Sequence, residues 1–344
     1  MKETITIKEI AKQLKVSVST VSRALQDNPR ISLLTRGAVQ ALARKLDYSP
    51  SATALNLRSG KSGLIGVVLP EIRENFFSEV INGIESVMLS KKYLVAFYQS
   101  HDSFDREKQI LSALASNRIE GLLLSVAKES KSFQHIQSVI DKRVPVVLLD
   151  RIPPQVNTHQ VGCDIKKGAY EATKWLARNG FSRIALLNGP SALVASDDRY
   201  EGYITALQES ELPIEGALIK RVDLSSEDTV EKMNQLLALT ARPDAVLTFN
   251  DYVALDSMKV CRSRGVSINQ DISFVSFANL PLNMYLEQPP LVSVEQHPYQ
   301  IGQRAAEILI GAIRSSVEAR VVNYEQVILD PELIVWKDQK KNSA

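Results

Sequence analysis

A short segment near the N-terminus carries small residues followed by an arginine, a combination suited to reading the edges of DNA bases. Val18, Ser19 and Thr20 are small enough to let the end of a helix approach bases closely. Arg23 follows one helical turn later and can donate to guanine O6 and N7 in the major groove, or to a phosphate. This spacing favours contact with a nucleic acid.

The surrounding sequence predicts three short helices that position these residues. Thr6 and Glu9 form a capping box before the first helix, Ser17 caps the second, and Ser32 caps the third. The hydroxyls of Ser32 and Thr35 lie near the positive end of the third helix and can bind phosphates. Two short helices joined by a tight turn and followed by a third give a helix-turn-helix arrangement, although generic three-helix bundles are also common.

Charge is distributed unevenly along the 344 residues. Residues 1–61 contain eleven Lys and Arg against four Asp and Glu, a net charge of +7, whereas the remainder of the chain carries −5. A basic N-terminal segment on a mildly acidic body indicates that only this segment meets a polyanion. The alternative is an ordinary solvated surface.

Composition predicts a globular protein of two or three domains in a reducing cytoplasm. Hydrophobic residues make up 44% and charged residues 23% of the chain. Cys163 and Cys261 are far apart, which gives no disulfide framework and no metal-site spacing. The N-terminus lacks the apolar region of a signal peptide, and no apolar run approaches the roughly 18 residues of a membrane span. We therefore expect a cytoplasmic protein with no membrane partner, no metal and no other cofactor.

Three strings carry a family resemblance: TIKEIA over residues 6–11, VSVSTVSRAL over 16–25 and DYSP over 47–50. Together they resemble the DNA-binding headpiece of the LacI/GalR family of transcriptional regulators, and the resemblance continues over nearly the whole chain. It implies that Val18, Ser19 and Arg23 read the major groove, and that the hydroxyls nearby contact phosphates. The expected DNA-binding residues are Thr6, Ser17, Val18, Ser19, Thr20, Ser22, Arg23, Ser32, Thr35 and Leu57.

Residues 50–61 form a linker that is too short to be a stable helix by itself. Composition alone favours a plain tether. The resemblance implies a hinge helix that folds on DNA, with Leu57 as a wedge between base steps in the minor groove. A basic residue is usual in the family two positions before this leucine, and Leu55 stands there instead.

From Gly63 onward, short Val, Ile and Leu runs alternate with amphipathic helices, a pattern typical of parallel sheets covered by helices. Two such sets predict two Rossmann-like subdomains, and the resemblance implies a periplasmic-binding-protein-like pair with crossovers near Val161, Pro290 and Val321. The predicted division is a headpiece over 1–49, a linker over 50–61, and an effector-binding and dimerisation domain over 62–344. Its N-subdomain comprises about 62–161 and 291–321, and its C-subdomain about 162–290 and 322–340.

Ligands of such folds bind beyond the carboxyl ends of the strands. The string Ser196–Tyr203 is similar to a family pattern that makes Arg199 the ligand clamp, since a guanidinium can bridge two hydroxyls or a carboxylate. Asn250 and Asp251 match the family's Asn-Asp pair, with helix capping as the alternative role for Asp251. The expected effector-binding residues are Asn75, Phe76, Phe77, Asp150, Arg199, Asn250, Asp251 and Gln296.

The resemblance has one informative departure in this region. The strand ending at Phe277 is normally followed by an Asp that binds sugar hydroxyls, and here Ala278 stands in its place. The effector therefore remains open at this stage: a sugar-related molecule is the family default, and a phosphorylated, acidic or non-sugar ligand is an alternative.

The function predicted is a homodimeric regulator, by family default a repressor, that binds a pseudo-palindromic operator in double-stranded DNA under control of a small-molecule effector. No sequence motif of a common enzyme class is present, and the four histidines are scattered, so we expect no catalysis. The alternative is a solute-binding receptor without DNA-binding activity, which predicts an export signal and no basic N-terminal helices. A non-specific DNA binder would leave the large body unexplained.

Overall fold

The computed structural model describes residues 6–48, 62–72, 75–315 and 323–336. The chain divides into two compact units, Met1–Ser62 and Gly63–Ala344. The predicted hinge over 50–61, with Leu57, lies outside the described residues. No helix within the described ranges combines the length and the apolar character needed to cross a membrane.

The first unit contains the three predicted helices: α1 (Ile7–Gln13), α2 (Val18–Leu25) and α3 (Leu33–Lys45). Ser17 and Ser32 cap α2 and α3 as predicted, since each side chain accepts a hydrogen bond from a backbone N–H three residues later. Thr6 is the N-cap of α1 but makes no side-chain cap bond, because Glu9 N–H donates to the Thr6 carbonyl instead, at 3.0 Å. The small core consists of Ile10, Ala11, Val21, Ala24, Val39 and Ala43.

The first sheet of the second unit is parallel throughout, in the order β11-β5-β4-β3-β1-β2. Its strands are β1 (Leu64–Leu69), β2 (Leu94–Gln99), β3 (Gly121–Leu124), β4 (Val146–Leu149), β5 (His159–Cys163) and β11 (Gln326–Leu329). The helices that belong with it are α4 (Asn75–Met88), α5 (Phe104–Ser116), α6 (Gln134–Asp141) and α11 (Pro298–Ser315), with a 3-10 turn over Leu89–Lys91.

The second sheet has the order β12-β10-β9-β8-β6-β7, with only β12 antiparallel to its neighbour among the described strands. Its strands are β6 (Ile184–Asn188), β7 (Ile219–Arg221), β8 (Ala245–Thr248), β9 (Ser273–Phe277), β10 (Val292–Glu295) and β12 (Glu332–Val335). Its helices are α7 (Ile165–Arg178), α8 (Val194–Glu209), α9 (Ser226–Leu237) and α10 (Asp251–Ser263), with 3-10 turns over Gly216–Leu218 and Pro281–Tyr285. The predicted pair of Rossmann-like subdomains is thus confirmed.

The positions at which the chain crosses between the sheets differ from the prediction. The first crossover follows β5, close to the predicted Val161, but the second follows β10 rather than preceding it at Pro290. The third lies between β11 and β12, beyond the predicted Val321. Residues 291–295 therefore belong to the second subdomain and residues 323–329 to the first. The prediction missed these short strands because hydrogen bonds to distant neighbours, not local periodicity, define them.

Close helix packing fixes the position of α8, which carries Arg199. A Cβ atom on Gly202 would lie 2.2 Å from the carbonyl oxygen of Lys166 on α7. Only glycine allows the two backbones to approach so closely. The next residue of α8, Tyr203, is fully buried, and its hydroxyl donates to the carbonyl oxygen of Ile184 at 2.8 Å. The helix is therefore held against both α7 and β6.

Candidate DNA-binding face and effector cleft

The N-terminal end of α2 presents small hydroxyl residues to solvent. The Ser17 hydroxyl lies 2.8 Å from both Ser19 Oγ and Thr20 Oγ1, and it accepts a hydrogen bond from Thr20 N–H at 3.1 Å. Val18, 42% exposed, and Arg23 are both accessible to solvent. This end of the helix has no bulky side chain that would keep it from a base edge.

The remaining predicted headpiece residues lie at helix ends or beside α2. Ser32 is exposed, and its hydroxyl lies 2.8 Å from Thr35 Oγ1 at the start of α3. Thr6 is exposed at the start of α1, and Ser22 is half-buried on α2. Helix N-termini with exposed hydroxyls are suited to phosphate binding.

A cavity of about 250 Å³ opens between the two subdomains, where strands of both sheets end. Phe76 and Phe77 of α4 line it from the first subdomain, as does Asp150, which follows β4. Asn250 follows the end of β8, and Gln296 follows β10. These residues and Arg199 account for most of the predicted effector contacts, and the structure brings them together in one cleft.

Arg199 is held in this cleft between two aromatic rings. Its guanidinium carbon lies 4.0 Å from the ring centre of Phe249 and 4.2 Å from that of Phe277, which is cation–π stacking on both faces. Nη1 donates to the carbonyl oxygen of Ala195 at 3.0 Å, while Nε has no hydrogen-bond partner among the described residues. Burial lowers the pKa of Arg199 to about 10, with Asp150 the largest opposing influence. The guanidinium is therefore rigidly oriented, with donor capacity left over.

Asp150 faces Arg199 from the other subdomain. Its backbone has a φ of 60°, which turns the chain immediately after β4. Burial raises the pKa of its carboxyl group, against the opposing effects of the charges on Arg151 and Arg199. Arg151 is itself paired with Asp102, so it is largely neutralised. The cleft therefore combines an acceptor on one side with a donor on the other.

Asn250 and Gln296 add amide groups to the cleft wall. Asn250 is the N-cap of α10, and its Oδ1 accepts from Val253 N–H at 3.0 Å. That contact orients the side chain and leaves its Nδ2 group as the remaining donor. Gln296 is only 6% exposed.

Comparison with known proteins agrees with both halves of this description. The family model "Bacterial regulatory proteins, lacI family" matches residues 6–51, and "Periplasmic binding proteins and sugar binding domain of LacI family" matches residues 62–327. The chain belongs to the LacI family. It is a DNA-binding transcriptional regulator, and the matched headpiece argues against a solute receptor without DNA-binding activity.

Two curated relatives within the LacI family cover almost the whole chain. The HTH-type transcriptional repressor CytR of Escherichia coli K12 is 30% identical over 332 residues, covering 96% of this chain and 95% of that protein. The repressor PurR of Vibrio cholerae serotype O1 is 29% identical over 340 residues, covering 98% and 99%.

Solved structures show the same fold. A Lac repressor dimer bound to operator and an anti-inducer has a TM-score of 0.84, at 23% identity, and covers 99% of this chain and 100% of that one. A putative ribose operon repressor from Burkholderia thailandensis has a TM-score of 0.72, at 26% identity, covering 80% and 100%.

In this LacI-family chain, Asp251 does not line the cleft, contrary to the prediction. Its carboxylate is fully buried and accepts hydrogen bonds from Leu280 N–H at 2.6 Å, Ser293 Oγ at 2.8 Å, Asn283 Nδ2 at 3.1 Å, and the hydroxyl of Ser276. Capping does not explain it either, because Asn250 is the N-cap of α10. Asp251 instead holds the segment after β9 against the sheet.

Asn75 is the other predicted residue that does not line the cavity formed by the described residues; it begins α4. The Ala278 methyl does line it, with an unusual φ of 90°. The side-chain amide of the neighbouring Asn279 donates to Glu295 Oε2 at 2.7 Å. This hydrogen bond engages Asn279 with the protein, so it does not take the place of the missing aspartate as a ligand-binding group. The cleft is therefore without a carboxylate at this position.

Several lining residues escaped the sequence prediction. Gln160 and Cys163 were missed because they lie on β5, a short strand with polar residues that is hard to recognise from the sequence. The sequence offered one indication that Arg151 lines the cleft, namely its position directly after Asp150. The lining residues that the sequence did not predict include Ser130, Phe133, Arg151, Gln160, Cys163, Asp198 and Phe249.

Proposed function

We propose that this protein is a transcriptional repressor that binds a pseudo-palindromic operator as a homodimer and that changes its operator affinity when a small molecule enters the cleft. The observation that carries the effector part is the oriented guanidinium of Arg199 facing Asp150 across the cleft. A rigid donor opposite an acceptor recognises a polar molecule that touches both subdomains.

The solvent-accessible residues of α2 support DNA reading. By the family resemblance, Val18, Ser19 and Arg23 are the residues proposed to read the major groove, and all three lie on α2. The exposed residues Thr6 and Ser32 at helix N-termini are proposed to contact phosphates. The Lac repressor was solved as a dimer on its operator. By analogy, two copies of this chain place their α2 helices in two half-sites related by two-fold symmetry.

The cleft supports a sugar-related effector with a compact polar ring. Phe76 and Phe133 supply apolar surface, while Asp150, Arg199 and Asn250 supply hydrogen-bonding groups of both kinds. Binding and not turnover is the role proposed, because the relatives CytR and PurR are named as transcriptional repressors. We expect a protein that binds DNA in this way to work in the cytoplasm.

Control of operator affinity follows from linkage. An effector that touches both Asp150 and Arg199 favours the arrangement of the subdomains in which it makes both contacts. Operator affinity then changes if the two headpieces of a dimer can bind their half-sites together more readily in one arrangement of the subdomains than in the other. The effector stabilises one of two states and does not need to act on the DNA directly.

In vitro selection of random duplex DNA by the purified full-length chain, at near-physiological salt, tests the proposal. Enrichment of one pseudo-palindrome is expected, because specific binding survives salt concentrations that suppress unspecific phosphate contacts. The selection is repeated with a pool of metabolites, which supplies a corepressor if one is needed. Absence of any enriched sequence under both conditions contradicts the proposal.

A further inference from the structure

One wall of the cleft is a loop that follows β3, and a buried carboxylate holds this loop from behind. Glu107 of α5 has no exposed surface. Its Oε2 accepts from Ala127 N–H at 2.6 Å, and its Oε1 accepts from Ser130 Oγ at 2.9 Å and from His135 Nε2 at 2.7 Å. Ala127 and Ser130 line the cavity. Glu107 therefore connects α5 to the cleft wall at two points, Ala127 and Ser130, and to α6 through His135.

These contacts determine what the Ser130 hydroxyl can offer to a ligand. A carboxylate carries only acceptors, and a serine hydroxyl carries one proton and two lone pairs. The single proton of Ser130 is used by Glu107, so only lone pairs remain for the half-buried side chain to present to the cleft.

Neighbouring contacts keep this polarity in place. Both oxygens of Glu107 are occupied, so the carboxylate cannot rotate away from Ser130 without losing Ala127 or His135. The Ser130 backbone N–H donates to the Ala127 carbonyl at 3.0 Å, which fixes the loop geometry. The other ring nitrogen of His135 is buried without a partner among the described residues, as expected if the ring proton is on Nε2 and donated to Glu107.

We infer that Ser130 is an obligate hydrogen-bond acceptor in the effector cleft, that the effector presents a hydroxyl or N–H donor to it, and that Glu107 is the positioning residue that sets this polarity. The inference rests on the proposed function of the cleft. It adds a residue that determines specificity on the side of the cleft opposite Arg199, whose guanidinium presents donors to the ligand. The effector then carries a hydrogen-bond donor on one edge and an acceptor on the other.

The variant Glu107→Gln inverts the polarity without changing the shape. The Gln oxygen remains an acceptor for Ala127 N–H, and the Gln amide now donates toward Ser130 and His135. His135 accepts after its ring proton moves to Nδ1, and Ser130 accepts from the amide. The Ser130 proton is thereby released toward the cleft, and the residue becomes a donor to the ligand.

The test measures binding of D-glucose, D-ribose, D-galactose and cellobiose, and of their mono-deoxyfluoro derivatives, by titration calorimetry on the full-length protein. Fluorine cannot donate a hydrogen bond. The parent protein is expected to bind one derivative about tenfold less tightly than its hydroxyl counterpart, the effect of one lost hydrogen bond. In Glu107→Gln this preference is expected to disappear or reverse. Glu129→Gln, an exposed carboxylate in the same loop, is the matched control and keeps the parent preference.

Ser130→Ala provides an independent variant if Glu107→Gln does not fold, and it is expected to bind hydroxyl and fluoro forms alike at the sensitive position. If the parent, Glu107→Gln and Ser130→Ala all show the same preference for the hydroxyl over the fluoro form, the inference about Ser130 is overturned. The regulator function is then still tested separately by the DNA selection. Binding by no sugar in the panel overturns it together with the proposed effector class. If the DNA selection fails but the sugar measurements give the expected preferences, the proposed regulator function is overturned and the role of Ser130 stands.

Discussion

Replacing Asp251 with alanine removes the acceptor at the centre of a buried hydrogen-bond network and leaves its donors in place. The hydroxyls of Ser276 and Ser293 lie 2.9 Å apart, so one can donate to the other, but the second hydroxyl proton loses its acceptor. Asn283 Nδ2 keeps an acceptor in Ser293 Oγ at 3.4 Å. The Leu280 N–H loses the Asp251 carboxylate that accepts its hydrogen bond. An orphaned buried donor costs about 1–3 kcal/mol, so with weakened pairing of Asn283 we expect a loss of about 3 kcal/mol in the free energy of unfolding.

Denaturant unfolding followed by tryptophan fluorescence reports the stability of the subdomain that contains Asp251. The two tryptophans, Trp175 on α7 and Trp336 after β12, both belong to the second subdomain, which contains Asp251. Asp256→Ala, a half-buried carboxylate on the same helix, is the control and is expected to change stability by less than about 0.5 kcal/mol. If Asp251→Ala keeps the parent's stability but loses the response to an effector, Asp251 contacts the ligand and the reasoning is refuted.

The other predictions concern one residue each. Arg23→Ala is expected to reduce discrimination between operator variants by about 1–3 kcal/mol while sensor stability stays unchanged; equal affinity ratios for parent and variant across an operator set contradict base reading. Burial raises the pKa of Asp150, so its favourable contribution is complete below the unfolded pKa and is lost as pH rises through the raised value. Asp150→Asn is therefore expected to melt at a higher temperature than the parent near neutral pH, and the gap closes toward about pH 4. A difference in melting temperature that does not change with pH would show that the raised pKa of Asp150 is not its cause. Gly202→Ala forces a methyl group against a backbone carbonyl and is expected to cost about 3 kcal/mol, whereas Gly216→Ala, which has open space, is close to neutral; similar unfolding free energies for the two variants would show that α7 and α8 do not pack as described.

Local sequence was sufficient for the parts of the fold that local interactions determine. The caps at Ser17 and Ser32 were predictable because each hydroxyl bonds an N–H only three residues away. The long apolar runs of β1 and β6 were predictable because strands buried on both faces are apolar throughout. Arg199 and Asn250 were predictable because each lies in a recognisable family string.

Features set by distant contacts were not predictable in this way. The partners of Asp251 lie 25 to 42 residues away, and nothing near Asp251 distinguishes a network centre from a ligand contact. The polarity of Ser130 depends on Glu107, 23 residues earlier on another element. The crossovers were misplaced because β10 and β11 are four-residue strands whose sheet membership depends on their neighbours.

The measurement that most directly tests control of DNA binding by the cleft is operator affinity with and without the sugar that calorimetry identifies. Fluorescence anisotropy on the selected operator, at one fixed salt concentration, is run on the parent and on Arg199→Ala. We expect the sugar to shift the operator affinity of the parent by at least about fivefold, and Arg199→Ala to bind the operator as tightly as the sugar-free parent without responding to the sugar. An equal shift in both proteins, or no shift in the parent, contradicts control of DNA binding by the cleft.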